Sequence, residues 1–174
     1  MNQNHDTFEN AYFRRISSNI SRGRYPYIGK GSGRAVYDMG NGKVVKAAKN
    51  VKGLAQNIEE YKIALEDDSG LFAKIWALSG DNRYLIMDKA DRVMDISYIW
   101  DYFRVSSNDE LYRVRKIREL SEKYNLLIHD FGRAVNWGVI DGKPRIIDYG
   151  FTQRVRRKYY VKKPVNRFTR GYLP

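Results

Sequence analysis

The sequence predicts an α+β protein of two unequal lobes, and three observations carry that expectation. Ahead of residue 90, five short runs rich in Val, Ile and Tyr are separated by turn residues, the pattern of an antiparallel five-stranded sheet. One stretch among them, residues 54–65, instead spaces its apolar residues by three and four, the period of a single helix. Beyond residue 90 the helical period dominates, so the second lobe is expected to be abbreviated and mainly helical.

The chain opens with a helical extension, residues 1–24. Phe8, Ala11, Tyr12, Ile16 and Ile20 recur on one helical face, and Asp6 or Thr7 is placed to cap it. The sheet lobe, residues 25–88, begins with the strand Tyr25–Ile28, which runs into the glycine-rich turn Gly29-Lys30-Gly31-Ser32-Gly33. Residues 35–39 and 43–48 read as paired strands, because Gly40-Asn41-Gly42 supplies the positive φ angles of a tight hairpin. Leu54, Ile58, Tyr61 and Leu65 form the helical stripe. Two further strands, Leu71–Leu78 and Arg83–Met87, are joined by the turn Ser79-Gly80-Asp81-Asn82.

The second lobe, residues 89–152, places Ile96, Ile99, Trp100 and Phe103 on one helical face and Leu111, Val114, Ile117, Leu120 and Tyr124 on another. It closes on a hairpin, Trp137–Ile140 and Arg145–Ile147 around Asp141-Gly142-Lys143-Pro144, whose end carries Asp148. Residues 153–174 remain as a basic tail.

With 43% hydrophobic residues, the 174-residue chain can bury a core. No apolar run reaches the roughly 20 residues of a membrane helix. The polar start Met1-Asn2-Gln3-Asn4-His5 has neither part of a secretory signal, so no membrane partner and a cytoplasmic location are expected. The absence of cysteine excludes disulfides and thiolate catalysis, and two distant histidines cannot by themselves build a zinc site. Any metal is therefore expected on oxygen ligands, which suits magnesium.

The net charge of +12 is uneven. No acidic residue follows Asp148, whereas Arg154, Arg156, Arg157, Lys158, Lys162, Lys163, Arg167 and Arg170 do. With Tyr159, Tyr160, Phe168 and Tyr172 interleaved, this tail suits nucleic acid, through phosphate attraction and base stacking. A simply solvated end is the alternative.

Several residues suit phosphate chemistry. Glycines at 29, 31 and 33 allow backbone N–H groups to approach a phosphate between two strands, with Ser32 at the tip and Val36 beyond. Lys46 ends the apolar pair Val44-Val45 in a strand and needs a counter-charge; Glu60 on the helix is the choice, lying nearer the apolar stripe than Glu59, and Lys49 is the weaker alternative to Lys46. Asn136 and Asp148 stand twelve residues apart, the second at the end of an apolar strand and followed by Tyr149-Gly150.

Taken in order, the glycine-rich hairpin, Val44-Val45-Lys46, Glu60, the strand ending Leu85-Ile86-Met87, Asn136 and Asp148-Tyr149-Gly150 resemble the protein-kinase-like superfamily over roughly Tyr25 to Thr152. The resemblance implies ATP bound between the lobes, with adenine at a hinge of Met87, Asp88, Lys89 and Ala90 and phosphates under Gly29, Gly31, Ser32, Gly33 and Val36. It further implies that Lys46 contacts phosphate, Glu60 orients Lys46, and Asn136 and Asp148 hold Mg2+. Phosphoryl transfer to a protein hydroxyl, to a small molecule or to the chain itself follows, with a protein substrate or partner.

The chain departs from the family pattern at two places. The family sets Asn five residues after its base, and here Asp130 precedes Asn136 by six. Asp130 then acts as base with a one-residue bulge, and Arg133 stabilises the transferred phosphoryl group. Registering on His129 and Asn136 instead puts Phe131 at the base position and makes the protein a pseudokinase, an ATP-binding module without transfer. The residues after Gly150 are also too few for the family's peptide-holding helices, and Arg34 stands where a third glycine is expected.

Overall fold

The computed structural model describes residues 3–161. Residues 27–88 build a five-stranded antiparallel sheet from β1 (Tyr27–Lys30), β2 (Arg34–Asp38), β3 (Lys43–Ala48), β4 (Ile75–Leu78) and β5 (Tyr84–Asp88), in the order β1-β2-β3-β5-β4. Gly40 and Gly42, both at positive φ, make the β2–β3 turn. The fold is α+β, with six helices among the described residues.

Alternation along β3 assigns the sheet faces. Val45 pairs with Ile86 of β5 and both bury against α1 (Gln3–Ser21), through Phe13 and Ile16. Val44 and Met87 point to the opposite face and join the main core. Lys46, two residues from Val44, shares that second face, as the period of two requires. The face of α1 turns slightly from expectation, with Phe13 buried in place of the exposed Ala11. The helix also starts ahead of Asp6 and Thr7, so neither caps it.

The second face of the sheet receives α2 (Val51–Glu66), whose N-cap Asn50 accepts from the N–H groups of Lys52 and Gly53. Its buried residues are Gly53, Gln56, Asn57, Glu60 and Ile63, whereas Leu65 of the expected apolar stripe is 69% exposed. The expected stripe is thus corrected by one helical face: α2 turns polar residues inward because charged partners wait on the sheet.

The expected strand Leu71–Leu78 is likewise shortened. Leu71–Ala73 leave the five-stranded sheet to exchange backbone hydrogen bonds with Ile146, at 2.7 and 2.9 Å. Ile146 belongs to a second sheet of β6 (Asp91–Arg92), β7 (Trp137–Ile140) and β8 (Lys143–Ile146), in which β6 is an addition to the expected hairpin. Asp141 and Gly142, both at positive φ, turn β7 into β8.

Helices α3 (Ser97–Phe103), α4 (Asn108–Leu111) and α5 (Arg115–Lys123) follow the expected apolar spacing, but the stripe from Leu111 to Tyr124 is cut after Leu111. The first part of the basic tail folds as α6 (Gln153–Tyr159), capped by Thr152 and held by buried Val155. Lys162, Lys163, Arg167, Phe168, Arg170 and Tyr172 lie outside the described residues.

Candidate active site

Glu60 is fully buried on the inner face of α2, and its carboxylate collects donors from three parts of the chain. Lys46 Nζ donates to both Oε1 and Oε2 at 2.8 Å. Arg34 Nη2 reaches Oε1 at 2.9 Å, and the backbone N–H groups of Tyr149 and Gly150 each donate to the same oxygen at 3.1 Å. Glu59 lies outside this cluster and pairs with Arg154 of α6.

Burial raises the Glu60 pKa, but the charges of Arg34 and Lys46 overcome it and hold the group at about 2. Burial and the neighbouring Arg34 push Lys46 below its ordinary value against the pull of Glu60. Arg34 pays burial too, yet Glu60 and Asp148 raise its pKa further. Glu60 and Arg34 are charged at neutral pH, and Lys46 meets the Glu60 carboxylate at 2.8 Å; a buried cluster tolerates charges only when they are paired.

The backbone turn after β8 hangs on this cluster. Lys46 Nζ donates to the Ile147 carbonyl at 2.6 Å, and Tyr149, packed on Phe72, donates its hydroxyl to the Ala73 carbonyl at 3.1 Å. Burial raises the Tyr149 pKa, so the phenol stays protonated. Gly150 passes so close to the backbone of Gln56 on α2 that a Cβ there would collide with its carbonyl. Asp148, between these anchors, keeps a side chain 50% exposed and accepts from Arg34 Nη2 at 2.6 Å.

Asn136 is joined to the same turn through its carbonyl, which accepts from Ile147 N–H at 2.8 Å. It ends two 3-10 turns, Ile128–Gly132 and Ala134–Asn136, and its Nδ2 donates to the Asp130 carbonyl at 2.9 Å. Asp130 and Asp148 line one small cavity of about 20 Å³ with Leu126, Phe131, Ile146 and Phe151. Burial raises the Asp130 pKa, Arg133 opposes it from 3.6 Å, and Asp148 adds to it.

The glycine-rich turn is tied down at several points. Gly31 N–H donates to the Arg34 carbonyl at 2.9 Å, Lys49 Nζ to the Gly31 carbonyl at 2.7 Å, and the hydroxyls of Ser32 and Tyr160 meet at 2.8 Å. Gly29 pairs with Val36 and Val36 with Lys46, so Gly29, Val36 and Lys46 lie in adjacent strands. Gly33 crosses Gly53 of α2 with no space for a side chain on either. At the other expected nucleotide edge, Asp88 N–H donates to Lys74 and Lys89 N–H to Gly42, whereas Ala90 N–H donates to no described residue. Met87 is buried in the core.

Lys46, Glu60, Asp130, Arg133, Asn136 and Asp148 therefore belong to one connected neighbourhood. Sequence reasoning left out Arg34 as a member, along with Asn57, which accepts from Arg34 Nη1 at 3.3 Å. For a divalent ion, Asp148 Oδ2 and Asn136 Oδ1 accept no hydrogen bond from a described residue, and an amide with a carboxylate is a hard oxygen pair that suits magnesium. Among the described residues no group of three or more His, Asp and Glu has metal-binding geometry, and no helix is long and apolar enough to cross a membrane.

Fold and site together define an α+β protein with a buried, charge-paired cluster opening onto two carboxylates. No family model matches the chain, and no curated protein matches it.

Proposed function

We propose that this protein is a two-lobed, protein-kinase-like phosphotransferase that binds Mg-ATP and transfers its γ-phosphoryl group to a protein hydroxyl or to itself. One observation supports the reading: the buried Lys46–Glu60 pair is hydrogen-bonded to the backbone of the turn that carries Asp148, and the Asn136 carbonyl accepts from Ile147 N–H in that same turn. Buried ion pairs are poor devices for stability, and clusters of perturbed charges gather at functional sites.

In this reading Asp130 takes the proton of the acceptor hydroxyl as its oxygen attacks the γ-phosphorus and the bond to the β-phosphate oxygen breaks. Its raised pKa suits it to hold that proton. Arg133 lies beside it to balance charge on the transferred group. Gly29, Gly31, Ser32, Gly33 and Val36 form the phosphate side of the nucleotide site, and the edge from Met87 to Ala90 forms the adenine side. Asn136 and Asp148 would hold magnesium, which when bound neutralises phosphate charge. A cytoplasmic location goes with this reading.

Turnover of ATP by the purified protein tests it. Wild type is expected to turn over, Asp148→Ala to fall to background, and Asp130→Asn to lose a factor of about 100 or more. Equal background rates in wild type and Asp148→Ala would remove the enzyme.

A binding-only reading is favoured by the Arg34–Asp148 ion pair, which takes one oxygen of the metal carboxylate. It expects Mg-ATP to raise the melting temperature with no product formed.

A further inference from the structure

Arg34 occupies the place where the glycine-rich hairpin should be without a large side chain, and its guanidinium is 6% exposed. It bridges two anions of different need. Glu60 already holds Lys46 and two backbone N–H groups, so it is satisfied without Arg34. Asp148 has Arg34 as its hydrogen-bond donor among the described residues, at 2.6 Å, and its side chain is half exposed.

A divalent ion and the guanidinium thus compete for the same carboxylate. The cluster is electrically balanced as it stands, with Arg34 and Lys46 against Glu60 and Asp148. A bare dication would add uncompensated charge, whereas a dication arriving with polyphosphate would bring its own anions and offer Arg34 a new partner. The Arg34 carbonyl also closes the glycine-rich turn by accepting from Gly31, so its side chain is anchored at the base of the phosphate loop.

We propose that Arg34 gates the metal site: it holds Asp148 in the nucleotide-free protein and passes to nucleotide phosphate when the metal–nucleotide complex binds. Free divalent ion then binds weakly, and metal and nucleotide enter as a unit. This rests on the phosphotransferase reading of the same site.

Mn2+ binding followed by electron paramagnetic resonance, with and without a non-hydrolysable ATP analogue, tests the gate. Arg34→Gln is expected to bind free Mn2+ about tenfold more tightly than wild type, and Asp148→Asn to weaken binding in both backgrounds. Equal free-ion affinity in wild type and Arg34→Gln overturns the gate and leaves the kinase-like reading standing. No Mn2+ binding by any protein, with or without the analogue, overturns that reading and the gate with it.

Wild-type protein gives a check that needs no folded variant. The 15N resonances of the Arg34 guanidinium are expected to move when magnesium and the analogue are added together and to stay with magnesium alone. Movement with magnesium alone, or none with both, overturns the gate.

Discussion

Glu60 gathers two cations and two backbone N–H groups on one buried carboxylate, and its titration is therefore a folding reaction. Its pKa falls from 4.5 to about 2 in the folded chain. The contribution is complete above 4.5 and is lost as the pH falls toward 2, because the unfolded chain takes up the proton first. Urea unfolding across this range should show wild type losing stability, with a flatter profile in Glu60→Gln. At neutral pH the variant should be weaker by roughly 3–5 kcal/mol, since it leaves buried cations short of a partner. Asp130 moves in the opposite direction. If it is the base, the acid limb of kcat lies above the ordinary Asp range, and Arg133→Ala shifts it higher by removing the charge that favours the carboxylate. An unmoved limb in Arg133→Ala would assign the titration to another group. The pairing of Lys46 with Glu60 was legible from residue type and order. Arg34 was legible only by counting in twos: Val36 pairs with Lys46, and Arg34 lies two residues away on the same face.

At the scale of elements, α2 is where sequence pattern and structure part. Its apolar residues at 54, 58, 61 and 65 promised a core-facing stripe, yet the buried face runs through Gly53, Gln56, Asn57 and Glu60. Amphipathic periodicity assumes that the partner surface is apolar, and here it is Arg34, Lys46 and the carbonyls of Asn82 and Arg83, to which Asn57 Nδ2 donates. The hairpins were legible because their glycines have a local reason. The shortened β4 was not, because Leu71–Ala73 are claimed by Ile146, far away in sequence. The crossing of Gly33 over Gly53 gives a test in which two effects oppose. Gly53→Ala should gain about 1 kcal/mol from helix propensity. A Cβ there meets the Gly33 carbonyl, a backbone atom that cannot rotate aside, and such overpacking costs roughly 1–3 kcal/mol. The clash is expected to win, so Gly53→Ala should melt several degrees lower, whereas Val51→Ala on the exposed side of the same turn should not. A raised melting temperature for Gly53→Ala would show that the glycine-rich turn moves aside freely.

Across the whole molecule, the larger of the two buried apolar clusters ignores the boundary between the sheets. Val44 and Met87 of the five-stranded sheet and Ile63 of α2 belong to the same buried cluster as Ile99, Leu111, Ile117 and Trp137. Leu71–Ala73 and Ile146 add backbone hydrogen bonds across the same junction. Two sheets joined in this way should unfold as one cooperative unit. The tryptophans allow this to be read. Trp76 is exposed on β4, whereas Trp137 is buried in the second sheet, so Trp76→Phe weights the fluorescence toward the second half. In that background the fluorescence and far-ultraviolet circular dichroism transitions in urea should coincide. Adding Val44→Ala, a truncation in β3 worth about 2 kcal/mol, should shift both midpoints equally, although Val44 lies in the first sheet and Trp137 in the second. If fluorescence stays in place while circular dichroism shifts, the halves fold separately. The ion cluster would then be assembled by docking of two finished halves, and the Lys46–Glu60 pair would form without waiting for the Asp148 turn.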